Sequence, residues 1–253
     1  MMATEYLRER DRIDRLYLSD GIAMKIGIIE CGPVPESLRA QYVSYPAMFA
    51  AQLGALLPGA TFTTISVVNG AALPTPDACD AWLIPGSRYG VYDDLPWIEP
   101  LKDFIRDVAR EKRQPMAGIC FGHQIIAEAL GGRVEKAAIG FRAGMERYET
   151  TLGSGTAQTV TMPASHQDQV VVQPPDSEVV AKTGACAVAG LRYTTAPILS
   201  VQFHPEFSRA YLSDLIALRS QQDVKPGLAD APDETDGIGM RWIADFFAEQ
   251  KPT

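Results

Sequence analysis

The sequence predicts an α/β fold in which a mostly parallel sheet, covered by helices on both faces, is extended by antiparallel strands. Three observations predict it. Strand-like and helical stretches alternate from Met24 to Leu130, the pattern of βα units stacked into a parallel sheet. From residue 133 to residue 203 the helical pattern lapses and short β-rich runs follow one another. Between these regions, Gly118-Ile119-Cys120-Phe121-Gly122 joins an apolar run to a helical one through a turn that small residues flank.

The elements follow in order. Residues 1–23 are charged and irregular, whereas Met24-Lys25-Ile26-Gly27-Ile28-Ile29-Glu30 begins like a buried first strand. Met24 is therefore a candidate start, and an N-terminal helix docked on the domain is the alternative. A helix is expected over 45–57, strands over 61–68 and 80–84, a helix over 97–112 and a strand over 115–120. Gln124 to Leu130 has helical spacing and is closed by Gly131-Gly132. The β-rich runs are 158–162, 170–172, 178–182, 187–191 and 198–203. A helix over 206–220, a loop rich in Asp, Pro and Gly over 221–239, and an amphipathic helix from Gly239 carrying Trp242, Ile243, Phe246 and Phe247 complete the chain. At 253 residues the expectation is an N-terminal extension, 1–23, and a single domain, 24–253.

Composition excludes several functions. A net charge of −8 without a basic cluster argues against a nucleic-acid partner. No run approaches the roughly 20 apolar residues of a membrane span, and the N-terminus lacks a signal pattern, so a cytoplasmic location is expected. The four cysteines are scattered, with no Cys-x-x-Cys and no zinc spacing, so no metal is expected.

Cys120 is the residue in a reactive context. Glycines on either side allow a sharp, strained strand-to-helix turn that lifts the thiol clear of the sheet. The helix N-terminus favours its thiolate. A nucleophilic thiol needs a base, and the chain has three histidines, His123, His166 and His204. His204 is the best placed, since it follows the apolar run 198–203 and so falls at a strand's end. Pro205 then turns the chain, which brings Glu206 back towards the imidazole. Cys120, His204 and Glu206 make a nucleophile, a base, and a carboxylate that orients the base. Cys31, Trp82, Trp97 and Trp242 read as packing residues.

These residues resemble the class-I, triad-type glutamine amidotransferase domain from about Met24 onward. Gly118-x-Cys120-x-Gly122-x-Gln124 fits that family's nucleophile motif, and His204-Pro205-Glu206 fits its second motif in the expected order. The resemblance implies a flavodoxin-like three-layer sandwich with a nucleophile elbow. It implies that Ser165-His166-Gln167-Asp168 is the segment that holds substrate, with Asp168 on the α-amino group, and that Gln124 and His166 join it. It also implies an oxyanion hole built from Gly86 or Ser87 together with Phe121. Losing one such donor costs roughly 3 kcal/mol of transition-state stabilisation.

The loop departs from the family where Gly86-Ser87-Arg88 replaces the usual Gly-Gly-Pro, a version similar to the stand-alone γ-glutamyl peptidases of the same superfamily. The implied chemistry is cleavage of a γ-glutamyl amide through a thioester on Cys120, without a cofactor. Three readings follow. In a glutaminase, a separate synthetase polypeptide takes the ammonia, since this chain has no P-loop. A free-standing peptidase would need no partner. A third reading is a non-catalytic subunit that binds γ-glutamyl ligands, against which the intact Cys120, His204 and Glu206 argue.

Overall fold

The computed structural model describes residues 23–153, 155–219, 225–226 and 237–250. Residues 1–22 of the expected extension and most of the expected loop over 221–239 lie outside them. The strands are β1 (Met24–Glu30), β2 (Ala60–Ser66), β3 (Ala81–Ile84), β4 (Met116–Ile119), β5 (Arg133–Lys136), β6 (Arg142–Thr150), β7 (Gln158–His166), β8 (Asp168–Val172), β9 (Ser177–Lys182), β10 (Gly190–Tyr193), β11 (Ile198–Val201) and β12 (Lys225–Pro226). The main helices are α1 (Tyr45–Leu56), α2 (Ile98–Glu111), α3 (Phe121–Ala129), α4 (Arg209–Ala217) and α5 (Ile238–Glu249).

One sheet runs β12-β6-β9-β10-β11-β4-β3-β1-β2, with β7 paired to β6, and β5 and β8 form a separate ribbon. From β2 through β1, β3 and β4 to β11 all pairs are parallel. Beyond β11 the pairs to β10, β9, β6 and β7 are antiparallel, the extension expected from the sequence.

The three central parallel strands are almost wholly apolar because they are buried on both faces: Ala81-Trp82-Leu83-Ile84, Met116-Ala117-Gly118-Ile119 and Ile198-Leu199-Ser200-Val201 expose nothing. Ile28, Leu83, Ala117 and Leu199 pack on one face with Phe49 and Leu53 of α1 and Ile243 and Phe247 of α5. Trp82, Ile84 and Met116 pack on the other with Leu101 and Ile105 of α2 and Ile125 of α3. The result is the three-layer α/β sandwich. β2, at the edge, keeps threonines on its exposed side.

Gly27 of β1 sits over the Trp82 indole, and a Cβ there would overlap that ring and come within 3.0 Å of Cys79 Sγ. The indole cannot yield, because its Nε1 donates to the Pro76 carbonyl at 2.9 Å and its ring meets Phe104 edge-on at 4.9 Å. Gly27→Ala is expected to destabilise the fold by about 1–3 kcal/mol, read as a lower urea midpoint at unchanged slope.

The structure corrects three expectations. β5 and β6 are strands where the sequence shows no clear strand pattern. The helix expected over 206–220 starts only at Arg209, where Ser208 Oγ caps it by accepting from Tyr211 N at 3.1 Å. The run expected over 198–203 ends at Val201, so that His204 lies in the turn beyond the strand.

Candidate active site

β3, β4 and β11 are parallel neighbours in the sheet, so their C-terminal ends open on the same edge. Each end delivers one part of the expected site: Gly86 and Ser87 after β3, Cys120 after β4, and His204 and Glu206 after β11.

Cys120 is the N-cap of α3, with φ 52° and ψ −100°. A non-glycine residue at positive φ stores about 1–3 kcal/mol, which the surrounding packing must hold. The flanking glycines show how. A Cβ at Gly122 would overlap the Ile84 carbonyl oxygen, far inside van der Waals contact. One at Gly118 would stand 2.7 Å from the Gly122 carbonyl and 2.5 Å from Ile126 Cδ1. Both glycines let α3 press onto the ends of β3 and β4 and hold the elbow shut.

His204 Nδ1–H donates to Glu206 Oε1 at 2.8 Å, and both side chains are buried. The backbone anchors the pair: His204 N donates to the Pro163 carbonyl at 2.9 Å, and Gln52 Nε2 donates to the Glu206 carbonyl at 2.9 Å. The imidazole lies flat on the Phe207 ring, centroids 3.9 Å apart and planes within 8°. Its Nε2 is buried without a well-formed hydrogen bond, and Cys120 is the polar neighbour that acts on it. Burial pulls the imidazolium down, but Glu206 and Cys120 together outweigh it and hold His204 up at about 10.

Gly86 lies against both groups: a Cβ there would stand 2.9 Å from His204 Cε1 and 3.7 Å from Cys120 Cβ. Only glycine lets this loop approach so closely. Ser87 Oγ donates to the Cys31 carbonyl at 2.9 Å and accepts from Tyr89 N at 3.2 Å, so its hydroxyl shapes the loop. Phe121 is the first residue of α3, and a first-turn amide has no acceptor within its helix. Of the expected oxyanion residues, Gly86 and Phe121 thus lie beside Cys120.

Asp168 opens β8 and is half-buried. Gln124, 3 % exposed, donates its Nε2 to the Asp168 carbonyl at 2.8 Å and to Gln202 Oε1 at 3.1 Å. His166 Nδ1–H donates to the same carbonyl at 3.2 Å. Gln124 and His166 therefore act, in this structure, on the backbone of Asp168. Ser165, in the same segment, brings its carbonyl to 3.9 Å from Cys120 Sγ.

Burial holds His166 and His123 neutral, both near 4. His123 Nε2–H donates to the Val188 carbonyl at 3.0 Å, so its Nδ1 accepts from Ser200 Oγ at 2.8 Å, and it ties α3 to β11. Sequence alone assigns no role to Phe207 or Tyr92. The aromatic residue directly after His204-Pro205-Glu206 is the available signal for the first; nothing local marks the second.

The family profile described as "Glutamine amidotransferase class-I" matches residues 66–213. The chain belongs to the class-I glutamine amidotransferase family. Similar curated relatives carry the name of one subunit of a glutamine-hydrolyzing GMP synthase. That of Methanococcus maripaludis is 37 % identical over 113 residues, and that of Methanocaldococcus jannaschii 39 % over 114 residues. Each alignment covers 44 % of this chain and 60 % of the relative's length. The solved glutamine amidotransferases from Methylobacillus flagellatus and Thermotoga maritima share the fold at TM-scores of 0.68 and 0.68, with 19 % and 16 % identity. Those matches cover 91 % of this chain in both cases, and 94 % and 99 % of the respective neighbours. This amidotransferase sheet therefore carries its cysteine elbow and histidine–glutamate pair at one edge. No helix among the described residues is long and apolar enough to cross a membrane.

Proposed function

We propose that residues 24–253 form one thiol hydrolase unit that cleaves the γ-glutamyl amide of glutamine. The observation that carries this reading is the convergence of Cys120, the buried His204–Glu206 pair and Gly86 at the ends of three adjacent parallel strands. The Cys120 sulfur attacks the γ-carbonyl carbon, and the carbonyl oxygen takes up the charge at the Phe121 amide and the Gly86 or Ser87 amide. As the C–N bond breaks, His204 Nε2–H protonates the leaving nitrogen, and ammonia departs from a γ-glutamyl thioester. Water then gives a proton to His204 and attacks the thioester, releasing glutamate and restoring the thiol. No cofactor enters these steps.

The relatives' name, which makes each of them one subunit of a GMP synthase, supports a separate synthetase polypeptide as the destination of the ammonia. The four cysteines are free thiols, which suits the cytoplasm as the proposed location. A second reading is a free-standing γ-glutamyl peptidase, favoured by the exposed Arg88 beside the oxyanion loop, whose guanidinium lies 5.0 Å over the Tyr89 ring and could meet a peptide leaving group.

Glutamate release from glutamine and from γ-glutamyl dipeptides, with Cys120→Ala alongside, tests both. Turnover of glutamine that falls about 10⁶-fold in Cys120→Ala supports the glutaminase. Rapid dipeptide turnover with glutamine poor supports the peptidase. Absence of both activities, with the protein alone and in the presence of a synthetase polypeptide, withdraws the hydrolase reading.

A further inference from the structure

We infer that Tyr92 is a positioning residue that fixes the Asp168 carboxylate for the α-ammonium of the substrate, so that the site selects γ-glutamyl compounds with a free amino group. The inference rests on the hydrolase reading above and deepens it. Tyr92 OH donates to Asp168 Oδ2 at 2.8 Å across 76 residues of sequence, joining the loop that follows β3 to the start of β8. Tyr92 is 48 % exposed, so apolar burial does not explain where its ring lies.

The turn that presents it is tightly built. Gly90 N donates to Asp93 Oδ2 at 2.9 Å and Asp93 N donates to the Gly90 carbonyl at 3.1 Å. A Cβ at Gly90 would stand 2.9 Å from the Tyr92 ring, so glycine lets the phenol fold back.

Asp168 is thereby held from two sides. Its carbonyl is clamped by the buried Gln124 and His166, and one carboxylate oxygen is fixed by the phenol. A carboxylate offers two oxygens, and with Oδ2 held by the phenol the plane of the carboxylate is fixed and the other oxygen is left for a ligand. Asp168 lies two residues from His166 and three from Ser165, whose carbonyl borders the Cys120 sulfur. An anion fixed there recognises a cation that accompanies the acyl group, which in a γ-glutamyl compound is the α-ammonium. The same bond links that anion to the loop bearing Gly86 and Ser87. Amino recognition and the oxyanion loop are therefore one mechanical unit.

The test applies to the protein alone two chloroketones directed at the Cys120 thiolate. One is 2-amino-4-oxo-5-chloropentanoate, and the other is 4-oxo-5-chloropentanoate, which lacks the amino group. In each case the thiolate forms a C–S bond as the C–Cl bond breaks and chloride leaves, and mass spectrometry follows Cys120 labelling. In Tyr92→Phe, labelling by the amino reagent is expected to slow about tenfold, as for the loss of one hydrogen bond to a charged group. Labelling by the desamino reagent should stay unchanged. Asp168→Asn should remove the amino preference altogether, and Tyr92→Phe should add nothing to it.

Equal slowing of both reagents would show a collapsed loop and overturn the inference. Amino preference that survives intact in Tyr92→Phe would overturn it while leaving the hydrolase reading in place. Cys120 labelling with no amino preference in the unaltered protein would overturn the inference and the assigned role of Asp168 together.

Discussion

Glu206→Gln is expected to lower kcat/KM for glutamate release by about 10⁴-fold, the loss typical when the carboxylate behind a catalytic histidine becomes an amide. The geometry explains the size. Glu206 is 2 % exposed and accepts from His204 Nδ1–H at 2.8 Å, so nothing from solvent can replace its charge. His204 is fully buried, and burial alone pulls its imidazolium down; Glu206 and Cys120 raise it to about 10. With glutamine at 206, the cation loses its main support and less of the histidine carries the proton that the leaving nitrogen needs. The alkaline limb of kcat/KM, expected near pH 10 in the unaltered enzyme, should move acidward in the variant.

Stability carries the same signature with a definite sign. The folded His204 value lies above the unfolded value of 6.5, so this group's stabilisation is fully present below pH 6.5 and is lost as pH rises towards 10. His123 and His166 have the opposite sign. Their folded values near 4 lie below 6.5, so the folded state binds fewer protons and stability falls as pH drops from 6.5 to 4. Urea midpoints at about pH 7 and about pH 9.5 should therefore differ in the unaltered protein. Glu206→Gln should flatten that difference. A variant that keeps both the activity and the alkaline loss of stability would show that Glu206 does not support His204.

The parts of this site that are local in sequence are legible there. Gly118, Cys120 and Gly122 lie within five residues, and the steric demands of one turn select all three. His204 and Glu206 are two apart, and a proline between them suffices to bring the carboxylate to the imidazole. The parallel strands are legible for a similar reason, since burial on both faces leaves short apolar runs.

What sequence does not reveal depends on distant partners. β6 carries Glu146, Arg147 and Glu149 and shows no clear strand pattern, yet Glu146 is buried because Arg142 pairs with it at 2.6 Å and β7 pairs along its whole length. β5 has charged side chains at three of its four positions and exists because β8 pairs with it. The helix after His204 is expected too early because its apolar spacing reaches back to Phe207, a residue that instead stacks on the imidazole. Gln124 matches the family motif, but its tie to the Asp168 carbonyl spans 44 residues, a contact that no local pattern announces.

Gly122→Ala is expected to damage fold and site together, lowering stability by about 3 kcal/mol and glutamate release by at least about 10³-fold. A methyl group here meets backbone, since the Ile84 carbonyl oxygen lies within its radius and Ile84 Cβ stands 3.1 Å away. Ile84 ends β3, which is paired on both sides within the sheet and cannot withdraw. The helix must lift instead. Lifting the first turn of α3 carries the Phe121 amide away from Gly86 and releases the constraint that keeps Cys120 at positive φ. The nucleophile and one oxyanion donor are lost in a single displacement, which is why the rate should fall by more than either change alone. Gly54→Ala is the control. That glycine lies within α1, where a Cβ meets only Phe62 Cε2 at an ordinary 3.5 Å. Alanine there should be neutral or should stabilise by up to about 1 kcal/mol. Thermal unfolding and glutamate release measured on both variants separate the cases. Full activity in Gly122→Ala would mean that the tight packing of helix on strand is not what holds the cysteine in place, and the strain at Cys120 would then need another source.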